Sequence, residues 1–301
     1  MTKHLKYIFA MIAVGVFVQP ALSQNNYFSP DNLLKFANYL YYDEDYLRAA
    51  GEYKRYLLTT NDYTNADTIS YRIVRSLRLG GDLDGAIVSA FPYLYPYPLR
   101  QLSEKIQFES GLAYFKQGNY WYSLNVIDNF MASEVKKELH TYNLIVANHL
   151  RMRHWNKALE ISNQSLTKAR NSDNPDSYSF LLHLLTQEAA KLPYKQKWKA
   201  GFLSVAVPGS GKFYTGEYTD CFVSLLLTGV SAWQSWRGFD RNGSSSKSGW
   251  VYGTLGSGFY LSGIYGSMVS VKRYNIRLEL RIFEQLEEYV DDEFRDFDEF
   301  P

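Results

Sequence analysis

The chain is poor in the residues that carry most metal and nucleophilic chemistry. It has one cysteine, Cys221, in 301 residues, so neither an internal disulfide nor a cysteine-rich metal centre can form. Its five histidines, His4, His140, His149, His154 and His183, are scattered. None has the H-E-x-x-H spacing that sets two imidazoles on one helix face around zinc. Charge of one sign is also missing. The 32 Lys and Arg stand against 31 Asp and Glu, leaving +1, which excludes bulk electrostatic attraction to nucleic acid. G-x-S-x-G and the dinucleotide fingerprint are absent. The Gly211-Lys212 pair invites a phosphate-loop reading and fails it: Ala206 stands where a second glycine is required, and Phe213 where Ser or Thr would hold the metal. These absences lead us to expect no enzyme, no catalytic residue, no metal and no cofactor.

Aromatic residues, by contrast, make up 17% of the chain, with 26 Tyr and 6 Trp. Such a content suits repeat cores and apolar–polar boundaries. At the amino end, Lys3, His4 and Lys6 precede an apolar run over residues 7–18, then Pro20 and Ala21-Leu22-Ser23. That pattern reads as a secretory signal peptide over residues 1–23, cleaved after Ser23. Export without disulfides points to a bacterial periplasm.

Between residues 24 and 190 one pattern recurs. A polar or glycine break is followed by a large apolar residue, two variable positions and a small residue. The large residues are Tyr46, Leu83, Tyr120 and Trp155; the small ones are Ala49, Ala86, Ser123 and Ala158, spaced 37, 37 and 35 apart. A small side chain just past a turn lets two antiparallel helices approach closely. Repeats of this length build arrays of helical hairpins. The pattern resembles the tetratricopeptide repeat. The third copy carries Gly111, Tyr114, Gly118, Tyr120, Ser123 and Ile127 at the signature positions, and Pro98 falls at the closing proline of the second. The resemblance implies a concave groove lined by Asn38, Tyr41, Tyr42, Tyr71, Arg75, Arg78, Lys105, Phe108, Lys116, His140, Asn143 and Arg151. Its Lys, Arg and aromatic content suits a protein or peptide partner of acidic character.

Composition changes after Pro193. Residues 222–236 are nearly all apolar or small, and residues 250–271 run 22 positions without a charge. Small residues recur every fourth position at Ser224, Thr228 and Ala232, and again at Thr254, Gly258, Ser262 and Gly266. We read these strips as helix-packing faces in lipid. The segment Pro208-Gly209-Ser210-Gly211-Lys212-Phe213-Tyr214-Thr215-Gly216, with Ile264-Tyr265-Gly266-Ser267 and Lys272-Arg273-Tyr274-Asn275, resembles small bacterial membrane domains of the TM2-like kind. That implies a membrane-associated helical hairpin over residues 198–275. An amphipathic tail, acidic at its end, follows over residues 276–301.

The expected fold is all-α: a tetratricopeptide-like solenoid of helical hairpins, a small helical membrane hairpin and a C-terminal amphipathic helix. The expected location is the bacterial cell envelope, with periplasmic repeats and the C-terminal domain embedded in the inner membrane. The expected function is a non-catalytic, membrane-tethered scaffold that binds a protein partner in the groove. A second reading makes the glycine-rich hairpin the active part, assisting assembly or transport of envelope material. Membrane lipid and a second copy of the chain, joined through the hairpin or the tail, complete the expected partners; nucleic acid is not among them.

Overall fold

A computed structural model describes residues 28–62, 64–94, 102–131, 139–170 and 177–295. The expected signal peptide over residues 1–23, Pro98 and the end of the tail at residues 296–301 lie outside them. All regular structure among the described residues is helical, with no strand. The chain divides into two compact units, residues 1–148 and 149–301.

In the first unit, α1 (Pro30–Tyr42), α2 (Tyr46–Thr59), α3 (Ala66–Leu79), α4 (Leu83–Leu94), α5 (Ser103–Lys116) and α6 (Tyr120–Met131) each pack on the next. Residues 139–148 of α7 (Leu139–Arg151) complete it. Proline in the first turn and the Ser29 hydroxyl, which accepts from the Asn32 amide at 3.4 Å, start α1. Asp82 does the same for α4, accepting from the Gly85 amide at 2.9 Å.

The turn predicted from sequence has one geometry in four places. Glu44, Gly81, Gly118 and Arg153 take positive φ, between 60° and 84°. Each donates its amide to the carbonyl three residues earlier: Tyr41, Arg78, Phe115 and Leu150, at 2.9–3.2 Å. Such left-handed residues end a helix by satisfying its last carbonyls. Five positions later stand Ala49, Ala86, Ser123 and Ala158, all at 0% exposure. The third pair of helices explains why these positions are small. The Ser123 hydroxyl donates to the Gly111 carbonyl at 2.8 Å, and a Cβ on Gly111 would meet Ile127 at 3.0 Å.

The second unit holds α8 (Trp155–Arg170), α9 (Ser177–Ala190), α10 (Lys197–Ala206), α11 (Ser210–Tyr214), α12 (Tyr218–Asn242) and α13 (Lys247–Arg295). A short turn at Gly243–Ser245 joins α12 to α13, and the Ser246 hydroxyl caps α13 by accepting the Gly249 amide at 3.0 Å. With 49 residues, α13 is about 74 Å long. Residues 276–295, read as a separate tail helix, continue it without a break, because no Gly or Pro interrupts residues 267–295. Its first half packs on α10, α11 and α12; its second half packs on α9 through Ile282, Leu286, Val290 and Phe294, all buried.

The expectation of a membrane-embedded C-terminal domain is corrected here. Among the described residues, no helix is long and apolar enough to cross a membrane. Residues 250–271 have the length and lack charge, but Gly, Ser and Tyr fill more than half of them. Those residues contribute little of the transfer free energy that an apolar span of about 20 residues supplies.

Candidate interaction surfaces

The groove residues predicted in the first unit have very different surroundings. Arg75 and Arg78 project inward, 1% and 8% exposed, to meet Glu109, itself 1% exposed. Arg75 Nη1 lies 3.2 Å from Glu109 Oε1, and Arg78 Nε donates to Glu109 Oε2. The Tyr71 hydroxyl stands between them, accepting from Arg75 Nη1 at 3.0 Å and donating to Glu109 Oε1 at 3.4 Å. Burial, and next the Glu109 carboxylate, hold the Tyr71 phenol well above its ordinary pKa. Two guanidiniums therefore share one carboxylate in the interior of α3 and α5. Charged pairs in such surroundings survive only when their hydrogen bonds are made.

A second network ties the first three helices. The Tyr53 hydroxyl donates to Asn38 Oδ1 at 2.8 Å, Arg72 Nη1 donates to the Tyr53 oxygen at 3.1 Å, and the Arg72 guanidinium lies 5.3 Å above the Tyr41 ring. Sequence reasoning placed Asn38 and Tyr41 in the groove and missed Tyr53, Arg72 and Glu109. Of the remaining groove candidates, Asn143 is buried, Lys105, Phe108 and His140 are half-buried, and Tyr42 and Lys116 are exposed. Arg151 belongs to the second unit, where it pairs with Glu287 at 2.9 Å and lies 5.1 Å over the Phe283 ring. The structure thus joins Tyr71, Arg75 and Arg78 in one interior cluster, and Asn38 and Tyr41 in another.

In the second unit the α12/α13 hairpin inverts the usual arrangement of a helix pair. Its seam is made of small residues: Ser224, Thr228, Ser231, Ser235 and Gly238 on α12, and Gly249, Gly253, Gly256 and Gly263 on α13, whose same face continues through Tyr260, Ser267 and Ser270 to Val205, Ser204 and Thr215. Steps of three and four alternate, the 3.5-residue period of a left-handed supercoil. Contact is close enough that a Cβ on Gly238 would lie 2.7 Å from the Gly249 nitrogen, and one on Gly256 3.2 Å from Ser231 Cβ. Three serine hydroxyls on this face bond to backbone carbonyls, whereas the Thr228 hydroxyl is buried without a partner. Ser224 donates to the Asp220 carbonyl at 2.8 Å, Ser267 to Gly263 at 2.8 Å, and Ser235 across the seam to Gly249 at 2.9 Å.

Of the strips predicted at every fourth residue, the first leaves this seam after Thr228 and the second does not enter it. Ser224 lies in it and Thr228 borders it, but Ala232, Thr254, Gly258 and Ser262 face outward. Gly266 sits beside the Lys212 side chain, with a Cβ position 3.2 Å from Cε. The glycine-lysine segment before α12 is a packing knot. Gly211 approaches α10 so closely that a Cβ would sit 2.2 Å from the Ala200 carbonyl oxygen. Its amide donates to Ser204 Oγ at 2.9 Å, which donates in turn to Ser267 Oγ at 2.7 Å. Lys212 Nζ reaches Ser224 Oγ at 2.8 Å.

With small residues filling the seam, the large ones point away from it. Phe222, Leu226, Val230, Trp233 and Trp236 of α12 are 47–65% exposed, as are Trp250, Val251, Leu255 and Leu261 of α13 at 48–65%. Monomeric proteins in water rarely leave so continuous an apolar surface uncovered. The sequence signal for it is the absence of charge over residues 250–271, which was read as a span.

Two grooves complete the set. One in the first unit, of about 660 Å³, lies between α1 and α2 and is lined by Phe28, Leu33, Phe36, Glu52 and Arg55. One in the second, of about 430 Å³, lies between α9 and α13. Among the described residues, no group of three His, Cys, Asp or Glu could hold a metal ion. In comparisons with known proteins, no family model matches this chain, and no curated protein matches it.

Proposed function

We propose that this chain is a non-catalytic scaffold: a tetratricopeptide-like solenoid of helical hairpins binds a protein partner, and the C-terminal hairpin joins the chain to a second copy of itself. The observation that carries the reading is the outward face of α12 and α13. There, large apolar side chains surround an open strip of small ones at Thr254, Gly258 and Ser262. A Cβ on Gly258 or on Gly229 would meet nothing within 4 Å, so neither glycine is needed for packing inside the chain. A trough of this kind, rimmed by Leu255, Leu261 and Tyr265, accepts the ridge of another helix. Support for the solenoid comes from the four turns of equal geometry, spaced 37, 37 and 35 residues apart.

The test is the mass distribution of the full chain at rising concentration, beside Gly258→Leu. The leucine fills the trough without touching the seam. Its thermal melting is expected to match the parent, while the self-association constant falls at least tenfold. A parent chain that stays monomeric at all concentrations overturns the self-association. Equal association by the variant removes the trough from it.

A further inference from the structure

The groove between α9 and α13 pairs an apolar bed with an acidic rim. Its bed is apolar: Leu181 and Leu184 of α9 are 54% and 45% exposed, and Tyr289 of α13 closes the floor. Tyr178 stands edge-on to Tyr289, with ring centroids 5.9 Å apart. The rim is acidic from both sides, with Glu188 on α9 and Glu288 and Asp292 on α13. None of its lining residues is basic. The helix that supplies most of the rim is buried elsewhere along its length, so the groove is held open by packing: Leu182, Thr186 and Ala189 anchor α9, and Ile282, Leu286 and Val290 anchor α13.

We infer that this groove is a docking site for a cationic amphipathic helix of a protein partner. Leucine-type side chains of the incoming helix would lie on the bed, as an amphipathic helix lies in an apolar groove. Lysine or arginine at flanking positions would meet the three carboxylates, where charge complementarity fixes orientation and excludes acidic partners. The site is separate from the α12/α13 trough and does not rest on it.

The experiment uses the full chain and two fluorescent probes, an 18-residue helix built of leucine and lysine and its leucine–glutamate counterpart, at about 18 residues long enough for stable helix on binding. Anisotropy is expected to show binding of the lysine probe only, weakening as salt rises. Two variants place the site. Glu288→Lys with Asp292→Lys reverses the rim, and Leu181→Ala with Leu184→Ala strips the bed. All four residues are exposed, so the fold has no need of them, and each pair is expected to lower affinity at least tenfold. A third variant, Leu226→Glu with Val230→Glu on the outward face of α12, is expected to leave it unchanged. The inference is overturned if the glutamate probe binds equally, if no probe binds, or if the two groove variants bind like the parent. A loss confined to the α12 variant also overturns it, by assigning the probe to the hairpin.

Discussion

Glu109→Gln is expected to remove about 3–5 kcal/mol of stability, the cost of leaving buried charge without its partner. The amide keeps the shape of the carboxylate and one acceptor oxygen, so the loss is electrostatic rather than steric. Arg75 and Arg78 are then two cations in an interior that shields them from water, and Tyr71 loses the charged acceptor of its hydroxyl. Losses of this size approach the whole stability of many domains. Urea denaturation followed by circular dichroism reads it directly. The double variant Glu109→Gln with Arg78→Met is expected to recover part of the loss, because it removes one of the two cations crowded around the neutral amide. A single variant that unfolds at the parent's midpoint would show that the cluster is solvated in solution.

Gly211→Ala is expected to cost about 3 kcal/mol in the second unit, for an unrelated reason. The added methyl has nowhere to go. Its Cβ would lie 2.2 Å from the Ala200 carbonyl oxygen and 2.6 Å from Ser267 Cβ, and a backbone oxygen cannot rotate away as a side chain can. Relief requires α11 to move off α10, which breaks the Gly211–Ser204–Ser267 hydrogen-bond chain. Gly229→Ala is the matched control: its Cβ meets nothing, and alanine is the better helix former by about 1 kcal/mol. The control is expected to melt at or above the parent, and Gly211→Ala below it. If both melt together, the contact between α10 and α11 is looser than described.

The contrast between those two glycines shows where sequence reading succeeds and fails. Turns at Glu44, Gly81, Gly118 and Arg153 were legible because a close helical hairpin demands a small residue at one fixed offset. The demand repeats at nearly constant spacing, so four weak signals reinforce one another. The α12/α13 seam was not legible at residue level. Small residues occupy both the inner face, as at Gly253 and Gly256, and the outer face, as at Gly258 and Ser262. A strip drawn every fourth residue and one alternating three and four share Ser224 and Thr228, then part.

The interior ion cluster was hidden for another reason. Arginine is read as surface unless its partner is known, and Glu109 lies 34 and 31 residues from Arg75 and Arg78. That separation is close to one repeat. An acid one repeat after a pair of arginines on the same helical face is thus a signal for interior pairing in chains of this kind. The membrane expectation failed because absence of charge was counted as hydrophobicity. Glycine and serine are uncharged but bring little apolar area, and the ring of tyrosine carries a hydroxyl that needs a polar partner.

The unbroken length of α13 gives the second unit the mechanics of a lever. One rigid rod carries the small-residue seam near its start and the acidic groove near its end, and the Gly-poor stretch between them offers no hinge. A tilt of about 5° at one end moves the other by about 6 Å over a helix of this length. A change in how α13 lies against α9 would therefore be carried along the rod to the hairpin.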